Sequence, residues 1–329
     1  MSEEYLWGKE GSPDPEIARL EEALRPLRYQ PDCSRLVWPV MAAKPVRNNR
    51  RWAAALALAA GMILTVSLVR FSFHSGEAPA ATGWKVSWNE STWNESTAVP
   101  VRRGQLIQTG SDPARLRSDY IGEVTLSPGS RLRVLQTTTT EQRLALERGT
   151  IHALIWAPPR QFVVDTPSAK TIDLGCQYTL QVSSNGAGML NVQTGWVAFQ
   201  WRDLESFIPA GAACATFPKK GPGTPYFTDA PAALRAAIAA FDANGDFHPV
   251  RDSLASARPS DGLTLWHLLA RTRGEQRAQV FERFSALVKL PPDVTEAKIL
   301  KGDTAAFDAA WDALDLGNTD WWREWKRKW

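Results

Sequence analysis

Hydrophobic positions follow three different patterns along the chain, and each pattern predicts a different kind of element. Residues 52–69 form an unbroken uncharged run, which predicts a helix about 27 Å long, enough to cross a bilayer. Over residues 100–218, apolar and polar residues alternate between glycines, which is typical of short strands joined by turns. Over residues 229–329, apolar residues recur every three or four positions, as they do in helices.

These patterns predict a multi-domain chain with a single transmembrane helix, an all-β domain of stacked short strands and hairpins, and a small all-α C-terminal domain. The predicted segments are a head at 1–51, the transmembrane helix at 52–69, a linker with a first strand at 70–99, the β domain at 100–218, a linker at 219–228 and the helical domain at 229–329.

The apolar run at 52–69 has two other interpretations. A buried core helix normally shows a polar face, and this run is apolar almost all round. A cleaved signal peptide does not begin with a charged leader of 51 residues, so an uncleaved anchor is favoured. Within 20 residues, five basic residues precede the run and two follow it: Arg35, Lys44, Arg47, Arg50 and Arg51 against Arg70 and Lys85. This asymmetry predicts a single-pass protein of the bacterial inner membrane, with a cytoplasmic N-terminus and a periplasmic C-terminal region.

The head contains one amphipathic segment. Asp14 and Pro15 are a typical N-cap and first residue of a helix. Ile17, Leu20 and Leu24 then fall on one face of that helix. Because a helix of two or three turns has nothing in the head to bury this stripe against, we expect the three residues to bind a cytoplasmic partner. A solvated, partly helical tail is the alternative.

Charge and composition exclude two broad classes. The chain has 38 basic and 35 acidic residues, and a net charge of +3 is too small for a protein that follows a phosphate backbone, so we expect no nucleic-acid partner. The hydrophobic share of 44% excludes wholesale disorder.

The cysteines and histidines predict neither a metal site nor a catalytic centre. The four histidines are scattered, and no Cys-x-x-C pair is present, so we expect no metal and no cofactor. Cys176 and Cys214 could pair in an oxidising compartment, but their apolar surroundings favour buried free thiols. His267 is expected to be a packed core histidine. Residues 242–246 resemble a calcium loop in composition but lack its spacing, which favours the end of a helix.

Glycine-centred motifs recur through the β region in a fixed order. They are V-x-R-G-x-L-I-x-T-G from Val101, V-x-L-x-P-G-S-R-L from Val124, L-x-L-x-R-G-T-I from Leu144, F-V-V-D-T-P-S-A from Phe162, D-L-G-C-Q-Y-T-L from Asp173, V-Q-T-G-W-V from Val192 and I-P-A-G from Ile208. The order resembles the FecR family, whose members are single-pass membrane regulators of extracytoplasmic-function sigma factors. We expect the glycines to serve tight turns between strands.

The resemblance implies a non-enzymatic signalling protein that transmits a periplasmic signal to a cytoplasmic regulator, with a sigma factor as the expected partner. An unknown periplasmic protein or ligand would supply the signal. The head is shorter than the sigma-binding domains of typical relatives, which keeps a second interpretation open: a membrane-anchored, periplasm-facing binding or scaffold protein without sigma-factor control. A hydrolase using carboxylates such as Asp165 and Asp173 ranks third, because no partner acid or histidine is evident.

Overall fold

The structure is a computed structural model that describes residues 83–88, 93, 95–317 and 319. The β-rich and the helical parts both belong to one compact unit, Gly76–Trp329. The predicted head, with Ile17, Leu20 and Leu24, lies outside the described residues.

Sixteen strands of the described residues form one continuous sheet, in which a single long strand is shared by two halves. The strands are β1 Lys85–Trp88, β2 Val99–Pro100, β3 Leu106–Gln108, β4 Ala114–Ser118, β5 Gly122–Leu126, β6 Arg131–Thr137, β7 Gln142–Ile155, β8 Phe162–Asp165, β9 Lys170–Asp173, β10 Gln177–Val182, β11 Gly188–Thr194, β12 Trp196–Trp201, β13 Leu204–Pro209, β14 Ala212–Phe217, β15 Gly221–Pro222 and β16 Tyr226–Phe227.

The shared strand is β7, whose two halves pair with different neighbours. Its C-terminal half lies between β5 and β10 in sheet I, which runs β2-β1-β4-β5-β7-β10-β11-β14 and ends with β15 and β16 beside β14. Its N-terminal half lies between β6 and β8 in sheet II, which runs β3-β6-β7-β8-β9-β12-β13. Every pair is antiparallel except β7 with β8. The fold therefore departs from the predicted stack of short hairpins, because one 14-residue strand joins the two sheets.

Gly149 marks the point where β7 passes from one sheet to the other. Its φ is +100°, and a Cβ atom there would lie 2.3 Å from Ser130 Oγ. Only glycine allows both this backbone conformation and this close approach. Gly149 was expected to serve a turn, but it lies within a strand. The expected turn role is confirmed for the other motif glycines that have a positive φ: Gly104, Gly129, Gly175, Gly195 and Gly211.

Alternation along the strands sorts side chains into an inner and an outer set. Inward residues of both sheets belong to one buried cluster, as Leu116 and Val124 of sheet I and Leu144 and Phe162 of sheet II illustrate. Trp84, which precedes β1, lies with its ring 5.8 Å from that of Phe162 and donates a hydrogen bond to Gln142 Oε1. Burial of this apolar area is the main stabilising contribution to the β part.

Six α-helices follow the strands in the described residues, with 3₁₀ turns at Leu254–Ser256 and Pro259–Asp261. The helices are α1 Ala232–Asn244, α2 His248–Ser253, α3 Gly262–Arg271, α4 Gly274–Leu287, α5 Glu296–Lys301 and α6 Thr304–Asp312. As predicted for residues 242–246, Gly245 ends α1 in the left-handed conformation, with a φ of +81°.

The helices pack against the outward side of β12 and β13. The Trp311 ring lies 5.7 Å from Phe207 and 5.8 Å from Trp196. His267 donates through Nδ1 to Leu263 O and accepts through Nε2 from the backbone N–H of Phe207, which satisfies a donor of the last strand of sheet II. His267 is fully buried, so the prediction of a packed core histidine is confirmed.

The transmembrane element of the predicted fold class, and with it the predicted single-pass location in the inner membrane, is overturned. Among the described residues, no helix is long and apolar enough to cross a membrane. The longest, α4, has 14 residues, or about 21 Å of helix, and it carries charged residues such as Glu275 and Glu282. The run at 52–69 for which a span was predicted lies outside the described residues.

Candidate functional site

The turn between β9 and β10 holds the D-L-G-C motif and places a carboxyl group next to a thiol inside the protein. Asp173 and Cys176 are 1% and 3% exposed. Asp173 Oδ1 accepts a hydrogen bond of 2.7 Å from the backbone N–H of Gly175, and the Cys176 thiol donates to Asp173 Oδ2. The tight turn at Gly175, where φ is +89°, brings the two side chains together.

Burial governs the chemistry of this pair. It raises the pKa of Asp173 to about 7, against the smaller opposing effect of the hydrogen bonds from Cys176 and Gly175. It also raises the pKa of the Cys176 thiol far above its usual range, and the neighbouring Asp173 adds to this. A thiol that stays protonated and sealed from solvent is a poor nucleophile. The motif residues therefore serve the fold.

The other buried cysteine is equally inert. Cys214 is fully buried, and burial raises the pKa of its thiol. Cys176 and Cys214 are both free, which confirms the preferred prediction of unpaired buried thiols. In the part of the chain that the structure describes, no group of three or more His, Cys, Asp or Glu residues is arranged to hold a metal ion.

A small polar cleft lies between the end of α1, α2 and the start of α4. It has a volume of about 300 Å³ and is lined by Gly245, Asp246, Phe247, His248, Arg251, Glu275, Gln276 and Gln279. Asp246 Oδ1 lies 3.1 Å from His248 Nδ1. Both side chains are largely exposed, so their interaction is weak in water and does not create a reactive group.

Part of the outward side of sheet I is without charge, and it is bordered by Glu123 of β5, which is opposite Leu154. Its central strands are β7, β10 and β11, which are paired so that Leu154 is opposite Gln177 and His152 is opposite Thr179, with Asn191 opposite Thr179 on the far side. We call this surface the neutral face. Its members are the outward residues Thr150, His152, Leu154, Gln177, Thr179, Gln181, Met189, Asn191 and Gln193.

Hydrogen bonds hold side chains of the neutral face in place. His152 Nδ1 lies 3.0 Å from Thr179 Oγ1, and Gln193 Nε2 donates to the same hydroxyl at 3.3 Å. On its other side, His152 Nε2 lies 3.4 Å from Ser127 Oγ. A catalytic serine–histidine pair needs a carboxylate to orient the histidine, and here the Thr179 hydroxyl occupies that position. The arrangement is suited to binding.

Two exposed aromatic residues lie at one end of the neutral face. Trp156 follows β7 and is 48% exposed, and Tyr120, in the turn between β4 and β5, is 62% exposed. The Trp156 indole N–H donates to Asp119 O at 2.9 Å, and the Trp156 backbone N–H donates to Ile121 O at 3.0 Å. Trp156 is therefore fixed to the turn that carries Tyr120, with its ring open to solvent.

The sequence prediction did not identify the neutral face. The proposed binding residues Ile17, Leu20 and Leu24 lie outside the described residues. A signal was nevertheless present. Thr150, His152, Leu154 and Trp156 alternate with buried Ile151, Ala153 and Ile155, which predicts an uncharged outward side on this half of the strand.

Comparison with known proteins gives a limited result. No protein-family model matches the chain, and no curated protein matches it. Two crystal structures of a candidate anti-sigma factor from Parabacteroides distasonis are similar to it, each with a TM-score of 0.32 and 16% identity. The similarity covers 36% of this chain and 57% and 56% of those chains. The chain thus spans less than two thirds of the structures it matches.

Proposed function

We propose that the protein is a non-enzymatic regulatory protein that controls a sigma factor. In this proposal the folded unit receives the signal, and the N-terminal head binds the sigma factor through Ile17, Leu20 and Leu24. The observation that carries it is the ordered series of glycine motifs, whose turn glycines all have a positive φ in one continuous β structure. That order is the basis of the resemblance to FecR-type sigma-factor regulators.

The character of the candidate sites supports a binding role over catalysis. The Asp173–Cys176 pair is sealed from solvent, and the Ser127–His152 contact lacks an orienting carboxylate. A hydrolase using Asp165 and Asp173 loses support, because Asp173 is buried and Asp165 is engaged by the Arg143 guanidinium at 2.7 and 3.1 Å. A general acid or nucleophile has to reach its substrate.

The decisive experiment is affinity purification of the full-length chain from its source cell, followed by mass spectrometry. We expect a sigma factor to co-purify. An Ile17→Asp, Leu20→Asp double variant should lose it, because two carboxylates would have to be desolvated within the apolar contact.

The matched control is an Ala18→Asp, Arg19→Ala variant, which changes the net charge by the same amount on the side of the predicted helix away from the apolar stripe. It should retain the sigma factor. Absence of any sigma factor from the wild-type preparation, or equal loss in both double variants, would contradict the proposal.

A second candidate function is a binding protein without sigma-factor control, and the neutral face favours it. Deletion of residues 1–46 separates the two functions. Under sigma-factor control the deletion should change transcription from the promoters of that sigma factor. Under the second function, transcription should stay unchanged while ligand binding by the folded unit persists.

A further inference from the structure

The neutral face has the chemistry of a ligand-binding surface, and its composition restricts the ligand. Hydroxyl, amide and imidazole groups of Thr179, Asn191, Gln177 and His152 each offer a donor, an acceptor or both. Among the outward residues of the C-terminal half of β7 and of β10 and β11, all of which the structure describes, none is an acid, a lysine or an arginine. The surface extends about 13 Å along the strands and about 10 Å across them.

The absence of charge argues against polyelectrolytes and against an ordinary protein partner. A nucleic acid or an acidic polymer needs cationic side chains, and Arg115 of the neighbouring strand β4 is already paired with Glu123 at 3.2 Å. About a quarter of the residues in a typical protein are charged. A protein partner would therefore bury some of its charged side chains against amides and hydroxyls, which cannot neutralise them, and this burial costs free energy.

Trp156 and Tyr120, at one end of the neutral face, supply an apolar contact beside its polar groups. An aromatic ring has a negative face and a positive edge, so its face attracts the positively polarised C–H groups of a saturated ring. Trp156 and Tyr120 are open to solvent, and the hydrogen bond from the Trp156 indole to Asp119 O restricts the ring before any ligand arrives. Such preorganisation lowers the entropic cost of binding.

From these features we infer that the neutral face binds an uncharged oligosaccharide, with sugar rings stacked on Trp156 and Tyr120 and sugar hydroxyls hydrogen-bonded to Gln177, Thr179 and Asn191. A neutral sugar chain carries many hydroxyls, each of which is both a donor and an acceptor, and its rings have apolar faces. The hydroxyls complement the amide and hydroxyl side chains of the surface, and the apolar faces complement its exposed aromatic rings. This inference goes beyond the proposed function, because it needs neither the head nor a sigma factor.

The test is isothermal titration calorimetry of the full-length chain with neutral oligosaccharides. The probes are cellohexaose, maltohexaose, xylohexaose and mannohexaose, with the acidic hexagalacturonate for comparison. We expect at least one neutral probe to bind and hexagalacturonate to bind more weakly. Trp156→Ala should weaken binding about tenfold by removing the stacking surface.

Gln177→Ala is the second variant, since Gln177 is exposed on a strand and its truncation leaves the core intact. It should weaken binding severalfold through lost hydrogen bonds. Trp88→Ala is the matched control. Trp88 is 43% exposed but lies on the same side of β1 as buried Val86, away from the neutral face, so its removal should leave binding unchanged.

Three results would overturn the inference: no binding of any neutral probe, binding of hexagalacturonate alone, or unchanged binding by both Trp156→Ala and Gln177→Ala. Loss of a co-purifying protein in Trp156→Ala, with no oligosaccharide binding, would instead make the neutral face a protein-docking surface. Thermal unfolding of each variant verifies that it folds. Because the head variants test sigma-factor binding separately, failure here leaves the proposed function standing.

Discussion

The outward sides of sheet I and sheet II follow the same alternation along their strands, but they carry different chemistry. On sheet II, opposite charges are paired across strands: Arg133 lies 3.1 Å from Glu147, and Arg143 lies 2.7 Å from Asp165. On sheet I, such a pair is present between β4 and β5, where Arg115 lies 3.2 Å from Glu123, but the outward positions of β7, β10 and β11 carry no acid, lysine or arginine. Alternation therefore predicts which residues point outward, but it does not predict what packs against them.

The two outward sides also differ in what covers them. At β12 and β13 of sheet II, Phe207 and Trp196 are packed under Trp311, and Phe207 is 2% exposed. On sheet I, Leu154 and Trp156 are each 48% exposed. Adjacent exposed apolar side chains on a folded surface are available for an interaction, whereas those on sheet II stabilise the attachment of the helices.

The largest expected effect comes from removing the Trp311 ring, which packs on the outward side of sheet II. Trp311→Ala should lower the free energy of unfolding by about 3–5 kcal/mol, because a buried ring in contact with Trp196, Phe207 and Trp266 leaves a cavity. Urea unfolding followed by circular dichroism measures it. Trp88→Ala, which removes an exposed ring, should cost less than about 1 kcal/mol. Similar losses in the two variants would show that the helices add little stability to sheet II.

The second prediction concerns Gly149 in β7, the strand that both sheets share. Gly149→Ala should cost about 3 kcal/mol or more, since the new Cβ would lie within 2.5 Å of three atoms of Ser130 and φ is +100°. The control is Gly129→Ala, which has a φ of +73° but no atom within 4 Å of the added Cβ. It should cost about 1–2 kcal/mol from backbone strain alone. Equal costs would mean that the close approach at Gly149 is relieved by a small shift.

The smallest expected effect concerns the buried carboxyl group of Asp173, and it depends on pH. The pKa of Asp173 is raised from about 3.9 in the unfolded chain to about 7 in the folded protein. Its favourable contribution is therefore full below about pH 4 and is lost as the pH rises through about 7. From pH 5 to pH 8 the wild type should lose about 2–3 kcal/mol relative to Asp173→Asn, which cannot ionise.

Urea unfolding of both proteins at several pH values tests this effect. Parallel pH profiles for the wild type and Asp173→Asn would show that Asp173 ionises in the folded protein as easily as in the unfolded chain. Asparagine retains an oxygen that can accept the hydrogen bond from Gly175, so the variant isolates the charge.

Local features were predictable from the sequence where a single residue determines the geometry. The motif glycines predicted turns with positive φ, and Gly245 predicted a helix end. His267, within an apolar run, predicted a packed histidine. The transmembrane prediction was wrong, since no helix among the described residues is long and apolar enough to cross a membrane.

The alternation of the strands, most of their turns and the beginning of the helical region at about residue 230 could be predicted from the sequence, because these features depend on residues close together in the chain. Three features could not be predicted without the tertiary structure: β7 belongs to two sheets, Trp311 covers Phe207, and Gln177, His152 and Gln193 share one surface. Those contacts join residues many positions apart, and strand order and register, which no local pattern encodes, bring them together.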